Sequence, residues 1–281
     1  MFLQPRTLQE AVALLAAQGG TLVAGGTDVF PAQVDGPPPA TVIDLSHVAD
    51  LKGIRIAGDH IRIAGGVTWS ELIAADLPPV FGGLKAAARE VGSIQIQNRG
   101  TLAGNLCNAS PAADGVPPLL ALDAAVELTS TGGIRQLDLA DFILGNRKTA
   151  LRPGEILSAV LVPSVWNDAG SAFLKLGARR YLVISIVMVA ATIARSPDGS
   201  VRAARVAVGS ASAVARRLTV LEDRLVGATA ATRLSSLVAA DDLAALTPID
   251  DVRGSAAYRI EAAQELVGRA IDLAAGEIVD A

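Results

Sequence analysis

Two stretches of this chain carry the residue types that grip a phosphate-bearing ligand. The longer runs from Gly92 to Asp114 (GSIQIQNRGTLAGNLCNASPAAD), with a core of Gly100-Thr101-Leu102-Ala103-Gly104-Asn105 followed by Pro111 and Asp114. It is too polar for a core strand and too rich in Gly, Asn and Ser for a helix, so it reads as an ordered loop. The shorter is Ala24-Gly25-Gly26-Thr27-Asp28. Without a Cβ to hold it off, a backbone N–H can approach an anion closely. A plain strand-to-helix turn would explain the shorter loop alone equally well. Two such loops together fit a pair of clamps on one ligand.

Other chemistries find little support. Cys107 is the only cysteine, which excludes an intramolecular disulfide and a Cys-ligated iron–sulfur or zinc-ribbon site built from this chain alone. With His47 and His60 the only histidines, no metal centre is expected, and no Ser-His-Asp set or paired-carboxylate signature stands out. Cys107 reads as a small packing residue rather than a covalent cofactor attachment or redox thiol. Charged residues make up 19% and hydrophobic ones 51% of 281 residues, which describes a globular chain of two domains. A net charge of −4 with scattered Lys and Arg argues against nucleic acid or an anionic membrane as partner. No signal peptide or membrane span is visible, so a cytoplasmic protein is expected.

The elements that must position the loops follow from pattern. Thr7 with Glu10 forms a capping box for a helix over 7–18 that Gly19-Gly20 ends. Thr21 to Ala24 is a strand feeding the first loop, a helical turn follows from Asp28, and Thr41 to Leu45 is the next strand. This resembles a dinucleotide-binding βαβ unit, yet GxGxxG is absent and a Rossmann fold is the weaker reading. Residues 54–56 and 61–63 form a hairpin, Thr68 and Glu71 cap a helix, and Gly82 to Val91 is helical. Ala125–Thr129 pairs with Ile134–Leu137, and Glu155 to Pro163 closes the sheet. After a linker at Val165–Gly170, three strands (172–176, 183–194, 202–208) precede helices at 215–226, 233–239 and 255–273.

At these residues the chain resembles a known family. AGGTD at 24–28, the spaced glycines through Gly100-Thr101 to Gly104-Asn105, and SPAAD at 110–114 are similar to the FAD-binding medium subunit of molybdenum hydroxylases, the carbon monoxide, xanthine and nicotine dehydrogenase type. Lys175 with Arg179-Arg180, and Arg253-Gly254-Ser255-x-x-Tyr258-Arg259, extend the likeness over nearly the whole chain. The resemblance implies an α+β fold: a two-subdomain FAD-binding domain of the vanillyl-alcohol oxidase (PCMH) type at 1–165, then a small antiparallel sheet with a helical bundle at 170–281. It implies that Ala24, Gly25, Gly26, Thr27, Asp28 and Val29 form one clamp on the FAD pyrophosphate, and Gly100, Thr101, Gly104 and Asn105 the other. It further implies that Asp114 bonds ribityl or ribose hydroxyls, and that Ile96, Ile156, Leu157 and Lys175 belong to the flavin site. The chain departs from many relatives at Gln97, where they have Arg, and at Ala103, where they have Gly.

The implied role is electron transfer. Substrate would be hydroxylated on a large molybdenum–pterin subunit, and electrons would pass through a small subunit with two [2Fe–2S] clusters to this flavin and on to an external acceptor. A dimer of heterotrimers is the implied assembly. Two rivals stay open: a free-standing FAD oxidase of a small molecule, and a non-enzymatic flavin-binding protein. For the residues singled out, the plain alternatives are a helix cap for Asp114, a solvated strand lysine for Lys175 and a solvated basic edge for Arg179-Arg180.

Overall fold

Thr7 starts the first helix as its residue type requires, its hydroxyl accepting from Glu10 N, and Gly19 ends that helix, Leu8–Gln18, at φ 63°. The capping box does not close there: Glu10 Oε2 accepts instead from Arg6 N at 2.7 Å, one residue upstream of the cap. At Thr68 the box is complete and starts the helix Trp69–Ala74. The computed structural model describes residues 1–33 and 36–276. Residues 277–281 of the expected C-terminal domain therefore lie outside the described residues. The chain forms two units, each assembled from separated stretches.

The first unit comprises Met1–Ala75, Ser93–Ala109 and Ala124–Pro163. Strands β1 (Phe2–Leu3), β2 (Thr21–Val23) and β3 (Val42–Asp44) make a parallel sheet ordered β1-β3-β2. Ala11 and Val12 of the first helix pack with Ile43, Leu45, Val48, Leu51 and Ile156. The turn after Asp28 is a pair of single helical turns, Phe30 N to Gly26 O and Ala32 N to Asp28 O. Strands β4 (Ile54–Ala57), β5 (His60–Ala64), β6 (Ala125–Ser130) and β7 (Gly133–Asp138) belong to a second sheet, and β8 (Ile143–Gly145) with β9 (Lys148–Thr149) forms a separate hairpin. The last strand, β10 (Ile156–Pro163), lies at the centre of the second sheet, whose antiparallel order is β4-β5-β10-β6-β7. That position explains its nearly continuous burial, with Ser158 the one polar residue inside the run and bonded to Thr129 and Glu127.

The second unit comprises Asp76–Gly92, Ser110–Asp123 and Ser164–Ala281. Its sheet runs β11 (Gly170–Leu176), β12 (Val187–Arg195), β13 (Val201–Gly209) and β14 (Arg216–Arg217), antiparallel throughout. Strand β12 is buried on both faces. Val187, Val189, Ala191 and Ile193 share a core with Ala263, Val267, Ala270 and Ile271 of the long helix Ala256–Ala274. Met188 and Ala190 pack with Phe173, Ala87 and Ala121 on the other side. Small aliphatic side chains fill these layers, as the scarcity of aromatics demands.

Three expectations need correction. Residues 183–186 are not strand, because β12 begins at Val187. The helix expected over 215–226 is the edge strand β14 followed by the helix Thr219–Leu225. Arg216 and Arg217 pair with Val208 and Ala207, and Arg217 forks onto Glu222, so tertiary pairing overrides local helix preference. The helix expected at 233–239 contracts to a single 3₁₀ segment, Leu234–Leu237. The stretch 165–170 is also more than a connection. Trp166 is buried with Arg205 stacked 4.8 Å over its ring, and Gly170 already opens β11.

Candidate functional site

The first unit brings the two glycine stretches together. The stretch expected to be loop throughout contains two helices, Ile94–Gln97 and Leu102–Asn108. Thr101 caps the second, accepting from Gly104 N at 3.0 Å. Leu102, Ala103 and Leu106 bury one side of it, and that burial outweighs the poor helix propensity of Gly and Asn. Main-chain bonds then fix the Gly100–Leu102 segment: Trp69 N donates to Gly100 O at 3.1 Å and Leu102 N to Val67 O at 3.0 Å.

Gly25 is where the two stretches meet. A Cβ on it would stand 1.9 Å from Arg99 O, so only glycine allows this approach. A Cβ on Gly100 would lie 3.3 Å from Thr27 Oγ1. Side chains add a second tie, as Asn108 Nδ2 donates to Asp28 Oδ1 at 3.0 Å and Arg147 Nη1 donates to Asn108 Oδ1 at 3.3 Å. Among the described residues, the backbone N–H groups of Gly25, Gly26, Thr27, Asp28, Val29 and Thr101 have no hydrogen-bond partner. Those at residues 25–29 lie in half-buried or exposed backbone open to an incoming group, and together the donors suit an anion with several acceptor oxygens. Ala24, Gly25 and Thr101 also border a cleft of about 630 Å³ with Gly66, Thr68, Ser70 and Asn98.

The remaining first-unit residues occupy different surroundings. Ile96 is half-buried, and its carbonyl accepts from Gly100 N at 2.6 Å. Asn105 N donates to Thr101 O, inside the capped helix. Ile156 lies in the core beneath the first helix, whereas its neighbour Leu157 takes the other face of β10. The Leu157 carbonyl would sit 2.4 Å from a Cβ on Gly65. Cys107 is half-buried in the helix Leu102–Asn108, and desolvation pushes its thiol up to about 12, which keeps it protonated at neutral pH.

Asp114 and Lys175 meet in the second unit. Lys175 pairs in register with Met188 and shares a strand face with Phe173, the face turned to the helix Gly82–Glu90. Its Nζ lies 3.0 Å from each Asp114 carboxylate oxygen and 3.4 Å from Glu90 O. The side chains are 6% and 11% exposed, so Lys175 is no solvated strand lysine. Ser185 Oγ donates to Asp114 Oδ1 at 3.3 Å. The helix that follows, Val116–Leu120, has no side-chain cap, so the Asp114 carboxylate serves this pair and not a helix end. Burial lifts Asp114 from 3.8 to about 6, opposed by the charge and hydrogen bond of Lys175 and by Ser185, and reinforced by Glu90. Sequence spacing pointed to neither Asn108, Arg147 nor Ser185, whose roles depend on partners far away in the chain.

The Asp114 shift has a sign that can be checked. Its folded-state value exceeds the unfolded one, so the folded chain holds this proton more tightly and its contribution to stability is lost as pH rises from about 4 to about 6. Asp114→Asn removes that dependence. In FAD-free protein the variant should gain on the parent by on the order of 2 kcal/mol between pH 4 and pH 7, read from denaturant midpoints. Parallel pH profiles for the two proteins would contradict the assignment.

Residues 1–165 match the family model described as the FAD binding domain in molybdopterin dehydrogenase, and residues 172–274 match the CO dehydrogenase flavoprotein C-terminal domain. The chain is 30% identical over 277 residues to the nicotine 6-hydroxylase medium subunit of Paenarthrobacter nicotinovorans, covering 96% of this chain and 95% of that one. It is also 30% identical to the carbon monoxide dehydrogenase medium chain of Hydrogenophaga pseudoflava, with 96% and 95% covered. A solved structure of carbon monoxide dehydrogenase from Hydrogenophaga pseudoflava superposes with a TM-score of 0.88 at 28% identity, covering 99% of this chain and 98% of that one. With an FAD-binding domain followed by the C-terminal domain of a flavoprotein, this chain has FAD as its cofactor and belongs to the FAD-binding medium subunits of the molybdenum hydroxylases.

Proposed function

We propose that this chain is the electron-transfer flavoprotein of a molybdenum hydroxylase, accepting electrons from iron–sulfur clusters on a small partner subunit. The observation that carries the reading is the row of unpaired amides at Gly25–Val29 and Thr101 beside the Gly25–Arg99 contact. Amides suit a pyrophosphate because they offer several donors without a net charge to desolvate. Bound FAD would supply the redox chemistry, taking up electrons and releasing them to an external acceptor. The chain's own residues would set its position and potential. Gly25–Val29, with Ala24, would hold one side of the pyrophosphate, and Gly100, Thr101, Gly104 and Asn105 the other. Ile96, Ile156 and Leu157 complete the proposed flavin site.

Asp114 and Lys175 would act at the flavin end. Asp114 would accept from ribityl or ribose hydroxyls, and Lys175 would stabilise negative charge near the ring's N1–C2 carbonyl. Their mutual ion pair limits the Lys175 charge while Asp114 is ionised, so a proton on Asp114 would strengthen it. The functional division proposed is a flavin domain at 1–165 and a C-terminal domain at 170–281. The same reading includes a large molybdenum–pterin subunit, a small subunit with two [2Fe–2S] clusters, a dimer of heterotrimers and a cytoplasmic location. No helix among the described residues is long and apolar enough to cross a membrane. The relatives named as medium subunits support the partners; a free-standing oxidase has no comparable support.

Two outcomes test this. Gly25→Ala, which forces the two loops apart, should weaken FAD binding by at least about tenfold, or roughly 1.4 kcal/mol, in a titration of the desalted full chain. Retained affinity would remove the cradle from the pyrophosphate site. When the chain is co-expressed with its large and small subunits, reducing substrate should bleach the flavin absorption only if the small subunit is present. Bleaching of the isolated flavoprotein by a small-molecule substrate would favour a free-standing oxidase.

A further inference from the structure

The C-terminal motif Arg253-Gly254-Ser255-x-x-Tyr258-Arg259 has no part in the cradle, yet it contains one of the most deeply buried side chains. Arg259 is 2% exposed. A buried guanidinium is costly unless its donors are matched. Its Nη2 donates to Asp251 Oδ1 at 2.6 Å, and its Nη1 donates to two main-chain carbonyls, Ile186 O and, at 3.1 Å, Ser210 O. Among the described residues only its Nε lacks a partner. Asp251 also accepts from Arg253 N at 2.8 Å and Arg253 Nε at 3.1 Å. Those bonds, with Arg259 adding to them, hold its carboxyl near 2.

The two carbonyls adjoin the groups that hold the Asp114 segment. Ser185, just before Ile186, gives its hydroxyl to Asp114. Ile186 N donates to Leu176 O at 2.7 Å, the residue after Lys175. Ser210, in the left-handed region at φ 63°, donates its N–H to Pro111 O at 3.0 Å. We infer that Arg259 is the positioning residue of the Asp114–Lys175 pair. It fixes the backbone at Ile186 and Ser210, and through them the Ser185 hydroxyl and the hold on residues 110–114. Its bearing on the flavin rests on the reading of Asp114 and Lys175 as flavin contacts. The charged groups facing Asp114 are Lys175 on β11 and Glu90 at the end of the helix Gly82–Glu90.

The test follows the Asp114 titration by carboxyl carbon NMR in the full FAD-free chain labelled at aspartate, with D114N to assign the resonance. S185A, which removes a bond to the ionised carboxylate, should raise the midpoint. R259K cannot reproduce the three-point hold, and D251N weakens it from the other side. Each should lower the midpoint by about one pH unit as water reaches the carboxylate. R259K should also weaken FAD binding several-fold. If R259K does not fold, D251N decides alone. A lowered melting temperature with an unmoved midpoint in the variants that fold would make Arg259 merely structural and overturn the inference. Unchanged FAD affinity in D114N would instead overturn the flavin reading, whatever the titrations give.

Discussion

Two main chains touch at Gly25, and much of the first unit is arranged to let them do so. With a side chain there, the loop after β2 could not lie against the Arg99 carbonyl. The segment carrying that carbonyl is itself pinned by Trp69 N and Leu102 N, and the helix it enters is capped by Thr101. The cost of this geometry is a run of backbone donors at Gly25–Val29 with no partner among the described residues. These donors lie in half-buried or exposed backbone, and a ligand with several anionic oxygens is a natural match for them.

The second unit solves a different electrostatic problem. Asp114 and Lys175 are buried together, and burial is strong enough to lift the carboxyl to about 6 despite its cationic partner. Balanced burial of this kind keeps both groups in one place without spreading a net charge. Unpaired amides in the first unit and a buried ion pair in the second are thus two separate electrostatic devices. Arg259 extends the arrangement outward, since its bonds reach the backbone that supports the pair.

Much of this was legible in the sequence because glycine loops, caps and alternating strands are local signals. Thr7 and Thr68 start helices where residue type placed them, and the last helix, Ala256–Ala274, lies within a residue of the expected 255–273. The failures share a cause. The helix Leu102–Asn108 forms despite Gly104 and Asn105 because Leu102 and Leu106 are buried, which no local propensity reveals. Strand β14 replaces helix because β13 offers it an edge. The glycines and Asp114 were visible as motif residues, while Asn108, Arg147, Ser185 and the carbonyl of Arg99 act through partners distant in sequence. Lys175 was visible, but its burial was not.

The most direct test of the cradle is amide hydrogen exchange on the full chain with and without FAD. Without cofactor, the amides of residues 25–29 and of Thr101 should exchange rapidly, because no group among the described residues protects them. FAD should slow them selectively, more than the β10 amides that the sheet already protects. Slow exchange without FAD, or no change on adding a saturating amount, would mean that these amides do not hold the cofactor.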